Sequence, residues 1–240
     1  MGTSARNILI VGGSSGIGLE LAKRMSQQGN RVTVWSRSFP DELKEAGIAH
    51  STVDVTQPLA EQNPEVPSPL HGLVYCPGSV NLRPFNRLRE NHFKADYEIN
   101  VLGAVRVLQE ALPSFGSEGG SVVFFSTVAV STGMAYHASI ASAKAALEGL
   151  TKSLAAEYAA KNIRFNAVAP SLTDTPLAEK LLATDEKREK SAQRHPLRRV
   201  GTPTDMAASA AFLLSPDSSW ITGQILPVDG GMSSVRMLDA

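Results

Sequence analysis

Short, almost wholly apolar runs alternate along this chain with longer stretches in which apolar positions recur every three or four residues. The short runs cover residues 8–11, 31–36, 72–76, 121–126, 164–169 and 224–228 and are rich in Val, Ile and Phe. Strands without polar alternation belong in a parallel sheet that is covered on both faces. The stretches 16–28, 93–112, 140–160 and 204–214 carry the helical period and supply that cover. The alternation predicts a doubly wound parallel α/β sheet, a single-domain Rossmann fold spanning 1–240 with helices on both faces. Two segments break the rhythm. Residues 57–71 hold Pro58, Pro64, Pro67 and Pro69, which argues against a crossover helix there. Residues 175–193 are helical by composition and highly charged, which suits a solvated helix better than a flap over a site.

Composition narrows the function classes. Lys plus Arg and Asp plus Glu are 23 each, so no net field draws the chain to nucleic acid or an anionic membrane. The basic run 194–199 is short, is interrupted by Pro196 and Leu197, and reads as a solvated face. Cys76 is the only cysteine, which excludes an intrachain disulfide or a cysteine-based metal cluster, and no metal site is expected. No leader or spanning run of about 18 apolar residues is seen, so the expectation is a cytoplasmic protein.

The first apolar run leads into Val11-Gly-Gly-Ser-Ser-Gly-Ile-Gly18 and then an amphipathic helix. Glycines between a strand and a helix allow a tight turn and close approach of backbone amides to a pyrophosphate, where the helix dipole adds to the attraction. The second run ends Val34-Trp-Ser-Arg37, where an acidic residue would accept from a ribose 2′-hydroxyl. Ser36 and Arg37 stand there instead, and a guanidinium can fork onto a 2′-phosphate. The expected cofactor is therefore NADP(H).

The series of motifs resembles the short-chain dehydrogenase/reductase superfamily, in its 3-oxoacyl-ACP reductase-like branch. The matching residues are the loop at 12–18, Asp54-Val55, Ile99-Asn100, Ser126-Thr127, Lys144, Pro170 to Pro176, Arg199 to Pro203, Ile221 to Gln224, and Val228 to Gly231. The resemblance implies pyrophosphate contacts from Gly12, Ser14, Ser15, Gly16, Ile17 and Gly18. It implies an adenosine end formed by Ser36, Arg37, Asp54 and Val55. It places Cys76, Pro77, Gly78, Asn100, Lys144, Pro170, Thr173 and Thr175 along the rest of the dinucleotide, with Lys144 on the nicotinamide ribose. The chain departs from the family at Val11, at Tyr75-Cys-Pro-Gly78 and at Pro170-Ser171.

A further departure concerns catalysis. The family carries Tyr-x-x-x-Lys on its long helix, and the register here gives Ile140-Ala-Ser-Ala-Lys144. Thr127 falls at the family serine and keeps a hydroxyl. Reduction of a carbonyl needs a hydride at carbon and a proton at oxygen, and isoleucine supplies no proton. Loss of a general acid costs about 10²–10⁴-fold, while hydride positioning survives. Asn100, Thr127 and Lys144 are the expected catalytic set. Tyr136 is a tentative donor, one turn before Ile140 if the helix extends that far, and His137 is a second. The expected activity is NADP(H)-dependent reduction of a small-molecule or carrier-bound carbonyl. The alternatives are a weak or inactive NADP(H)-binding homologue acting as sensor or partner subunit, and a lyase or isomerase using the same pocket. The resemblance also implies a homo-oligomer, tetramer before dimer, while the balanced charge and the lack of a spanning run lead to the expectation of no nucleic-acid or membrane partner.

Overall fold

Every apolar run becomes a strand of one all-parallel sheet, because strands buried on both faces have no polar side to offer water. In the computed structural model, which describes residues 5–236, the first half runs β1 (Asn7–Val11), α1 (Gly16–Gln27), β2 (Arg31–Ser36), a short α2 (Asp41–Glu45) and β3 (Ala49–Thr52). It continues through β4 (Gly72–Tyr75), α3 (Glu90–Tyr97), a π-helical turn (Glu98–Leu102), α4 (Gly103–Ala111) and β5 (Gly120–Phe125). One turn of helix, α5 (Ala129–Thr132), then precedes α6 (Ala138–Tyr158), β6 (Ile163–Pro170), α7 (Asp185–Gln193), α8 (Pro203–Leu214) and β7 (Ile225–Val228).

The seven strands lie in the order β3-β2-β1-β4-β5-β6-β7. The direction of winding reverses between β1 and β4, which opens a crevice at the carboxyl ends of those strands. Alternate residues of each strand feed two cores. Leu9, Val11, Leu73 and Phe124 face α4 and α6, while Ile8, Ile10, Val34 and Val123 face α1 and α8. Each of these side chains is essentially fully buried, which stabilises the fold by roughly 1.5–3 kcal/mol apiece.

Local chemistry sets the helix ends. Thr202 accepts from the Asp205 amide while Asp205 reaches back to the Thr202 amide, and Pro203 opens α8 where its missing N–H is harmless. Segment 57–71 holds no α-helix, only the 3₁₀ turn Leu59–Glu61 and a single bridge from Leu70 to Phe115, as its prolines require. Two expectations change. The stretch 93–112 is not one regular helix, since a wide π turn carrying Asn100 divides it. The helix expected from 140 begins two residues earlier, at Ala138, and no earlier than that. No helix among the described residues is long and apolar enough to cross a membrane.

Candidate active site

A cavity of about 620 Å³ occupies the crevice at the strand ends. The cofactor-side candidates from Gly12 to Thr175 all border it except Asn100, which lies fully buried just behind it. Its floor at the β1–α1 turn is built by glycine. A Cβ on Gly18 would fall 2.3 Å from the Gly12 carbonyl oxygen, so any side chain there would force the turn open. Gly12 itself has φ +78°, a backbone conformation that other residues adopt only under strain. The N-cap of α1, Ser15, makes no side-chain bond to the helix, so the helix end presents its amides towards the cavity. This cradle fits a pyrophosphate.

At the adenosine end the candidates divide. The Ser36 hydroxyl is buried, donates to the Ser38 carbonyl at 2.7 Å and lies 3.1 Å from His50 Nε2, so it is already engaged. Arg37 is exposed and borders the cavity. The Asp54 carboxylate accepts from the Thr56 amide at 2.9 Å and hydroxyl at 2.7 Å. Those two bonds, with a smaller contribution from the Arg37 charge, hold its carboxyl below the usual range.

At the other end, α6 and the end of β5 converge. The Lys144 ammonium is buried and donates to the Phe125 carbonyl at 2.6 Å. Burial lowers its pKa to about 8, partly opposed by the neighbouring Cys76 and Asp96. The same apolar surroundings push the Cys76 thiol up to about 12. Asn100 Nδ2 donates to the Asp96 carbonyl at 2.7 Å and to Ser79 Oγ at 3.0 Å. Its Oδ1 is buried without a partner. That oxygen and Lys144 Nζ lie 3.3 and 3.5 Å from the same point, where a Cβ on Gly78 would stand. Two polar atoms therefore meet across a glycine at the cavity wall, an arrangement that suits a ribose hydroxyl.

The paired hydroxyls at the end of β5 point apart. Both residues border the cavity, but Ser126 Oγ already donates to Glu148 at 2.5 Å, whereas Thr127 Oγ1 only accepts from the Ala129 amide at 3.3 Å and keeps its hydrogen for a ligand. Ile140 is only 5% exposed and lines the cavity one turn before Lys144. Tyr136 does not fit the role assigned to it. It precedes α6, has φ +70°, is 59% exposed and does not border the cavity, so helical stacking below Ile140 never arises. His137, at the N-cap of α6, does border the cavity, with Nδ1 2.7 Å from the Ala135 carbonyl.

Two polar groupings were not foreseen from the sequence. Asp96 is fully buried and accepts from Ser79, Asn81 and Ser139, which pins the start of α6 to α3. His195 is 3% exposed, with Nε2 2.8 Å from Ser171 Oγ, and both residues border the cavity. The run 194–199 is therefore not simply a solvated face. The departure at Pro170-Ser171 was the only hint of this pair.

The match to known proteins covers the whole domain. Residues 11–233 fit the family model described as Enoyl-(Acyl carrier protein) reductase. The 3-oxoacyl-[acyl-carrier-protein] reductase MabA of Mycobacterium tuberculosis is 34% identical over 95% of this chain and 93% of its own length. The ligand-free aldohexose dehydrogenase of Thermoplasma acidophilum superposes with a TM-score of 0.86 at 30% identity, covering 98% of this chain and 97% of that one. A single-substitution variant of actinorhodin polyketide ketoreductase with NADPH gives 0.86 at 27% identity, covering 98% of this chain and 100% of that one. Strand order, glycine cradle and a 3-oxoacyl-ACP reductase-like sequence all agree, and the chain belongs to the short-chain dehydrogenase/reductase superfamily of oxidoreductases.

Proposed function

We propose that this protein is an NADPH-dependent reductase of a small-molecule or carrier-bound carbonyl that works without the family's phenol. The observation that carries the reading is the convergence of Lys144, Asn100 Oδ1 and Thr127 on one end of a cavity whose other end is the glycine cradle. When bound, the dihydronicotinamide supplies a hydride to the carbonyl carbon. Lys144 and Asn100 hold the ribose hydroxyls, the amides at the start of α1 hold the pyrophosphate, and Arg37 takes the 2′-phosphate. Thr127 donates to the carbonyl oxygen and polarises it. Leu82, Met134, Ile140 and Leu177 give the cavity apolar walls that would disfavour water around the carbonyl. The relatives support the substrate class, since they include a 3-oxoacyl-[acyl-carrier-protein] reductase and a polyketide ketoreductase.

Ile140 favours a second reading, a catalytically weak NADP(H)-binding protein that acts as sensor or partner subunit. One experiment separates the two. NADPH consumption with a β-ketoacyl thioester shows a reductase, whereas tight NADPH binding without turnover shows a binding protein.

We also propose a homo-oligomer, tetramer before dimer. The groove between α4 and α6 is lined by Leu108, Leu112, Leu150 and Leu154, and Phe212 and Trp220 stand 43% and 99% exposed elsewhere. Half-buried Leu112, Leu150 and Leu154 in the groove, with exposed Phe212 and Trp220, leave apolar surface that suits burial against a second copy.

A further inference from the structure

The reductase reading lacks a proton donor, and the cavity contains a hydroxyl–imidazole pair that no step has used. His195 Nδ1 lies 2.8 Å from the Ser191 carbonyl oxygen, which can only accept. Nδ1 must therefore carry a proton, and in the neutral ring Nε2 is left as the acceptor for Ser171 Oγ–H at 2.8 Å. A backbone carbonyl fixes the tautomer, the imidazole faces a hydroxyl, and both residues open onto the cavity.

Ser171 leaves β6 at the strand end next to the one that carries Thr127. The Ser126 amide donates to the Val168 carbonyl and the Val128 amide to the Pro170 carbonyl, so Thr127 and Ser171 leave adjacent ends of β5 and β6. The register sets Thr127 opposite Pro170, with Ser171 one residue further on, and with strands about 4.8 Å apart both hydroxyl residues border the same cavity. When His195 is an imidazolium, its Nε2–H donates to Ser171 Oγ, and the serine hydrogen, with only the weak acceptor Met232 Sδ at 3.0 Å beside it, is free to turn towards the cavity.

Resting on the reductase reading, we propose that Ser171 and His195 form the proton relay that replaces the missing phenol. As the hydride forms the new C–H bond, the carbonyl π pair moves onto oxygen and takes the proton of Ser171 Oγ. Ser171 Oγ takes the Nε2 proton of the His195 imidazolium, which becomes the neutral Nδ1–H ring. Solvent then returns one proton to Nε2. The net change is one hydride and one proton added to the carbonyl, with the dihydronicotinamide as reductant. Ser171 is the catalytic residue, and His195 acts through it.

The pair has charged and titratable neighbours on several elements. Asp229, just beyond β7, is near enough to His195 for their charges to interact, Arg194 and Arg198 flank His195 in sequence, and Lys144 and His137 border the same cavity. Asp229 is itself bound by the Gly231 and Ser233 amides and the Ser233 hydroxyl.

The test uses the full chain with NADPH and a β-ketoacyl thioester, and the variants Ser171→Ala and His195→Gln. The glutamine keeps a donor towards Ser171 but has no proton to relay. Both variants should lose about 10²-fold or more in kcat, while NADPH affinity stays within about twofold of wild type. A second readout needs no turnover. Nitrogen-15 NMR of the imidazoles should show His195 as the Nδ1–H tautomer, with an Nε2 resonance that moves in Ser171→Ala. Wild-type kcat for reduction should fall as pH rises, with the midpoint at which the His195 ring titrates by NMR. Turnover that is indifferent to both variants, or an Nε2–H tautomer, overturns the relay and leaves the reductase standing. A wild type that binds NADPH but reduces nothing overturns the reductase and the relay together, and the two failures are told apart by the wild-type assay alone.

Discussion

Arg37→Ala should remove most of the preference for NADPH over NADH while leaving NADH affinity unchanged. Arg37 follows β2, is exposed, borders the cavity and makes no ion pair among the described residues, so its guanidinium is available to a ligand. Asp54 attracts it only at a distance, since the Asp54 oxygen is bound by Thr56. Hydrogen bonds to a charged group contribute about 1.5–3 kcal/mol, or about 10- to 150-fold in affinity. Exposure favours the lower half of that range and makes the effect shrink at high salt. Tryptophan fluorescence gives the assay. Trp35 is fully buried and borders the cavity, whereas Trp220 is 99% exposed and contributes only background, so Trp220→Phe is the proper parent. Equal affinities for the two dinucleotides in the parent, or equal weakening of both by Arg37→Ala, would refute the assignment.

Three other outcomes follow from the geometry. Ile140→Tyr should raise NADPH-dependent reduction, by about 10²-fold in a Ser171→Ala background, because the new phenol stands one turn from Lys144 on the cavity that Thr127 also borders; steady-state NADPH oxidation that does not change would show that Ile140 is misplaced for the task. Lys144 is lowered to about 8 from an unfolded value near 10.5, so the unfolded chain holds the extra proton between those values and stability should rise with pH across that window. Cys76, raised to about 12, acts in the opposite sense above its unfolded value of 9.0, so urea midpoints should be compared in Cys76→Ala with and without Lys144→Met. Light scattering at micromolar concentration should give a multiple of the 25.5 kDa chain mass, and a monomer would end the oligomer proposal.

The fold was legible because its determinants are local. Six strands were marked by apolar runs, and the glycine loop and Arg37 lie where strand and helix boundaries put them. The strand that left little trace, β3, is an edge strand reading Ala-His-Ser-Thr, so it has no buried face to show as a run. The end of α6 could not be read, because the positive φ at Tyr136 has no signature in a tyrosine. The Ser171–His195 pair, hinted at only by the departure at Pro170-Ser171, was unreadable as a pair for a different reason. Its members are 24 residues apart and are joined only by the fold, and the histidine is camouflaged by the arginines around it. The unpartnered Asn100 Oδ1 likewise belongs to packing and to the π turn rather than to any spacing.

The last strand carries a proline whose orientation bears on how copies of this chain can grow together. The carbonyls of Gln224, just before β7, and Val228 accept from Ala167 of β6 and from Ser171 just beyond it, so even-numbered positions turn inward and Pro227 turns to the open edge. At that position the edge has no N–H, and β7 is only four residues long. An eighth strand from another molecule would find its donor missing at the middle of the ladder. Polymerisation by continuation of the sheet is thereby blocked. Association on this side must be made by side chains such as Trp220, on the segment entering β7, and Phe212 on α8. Contacts of that kind favour an assembly that closes at a fixed size over a fibre that lengthens without limit.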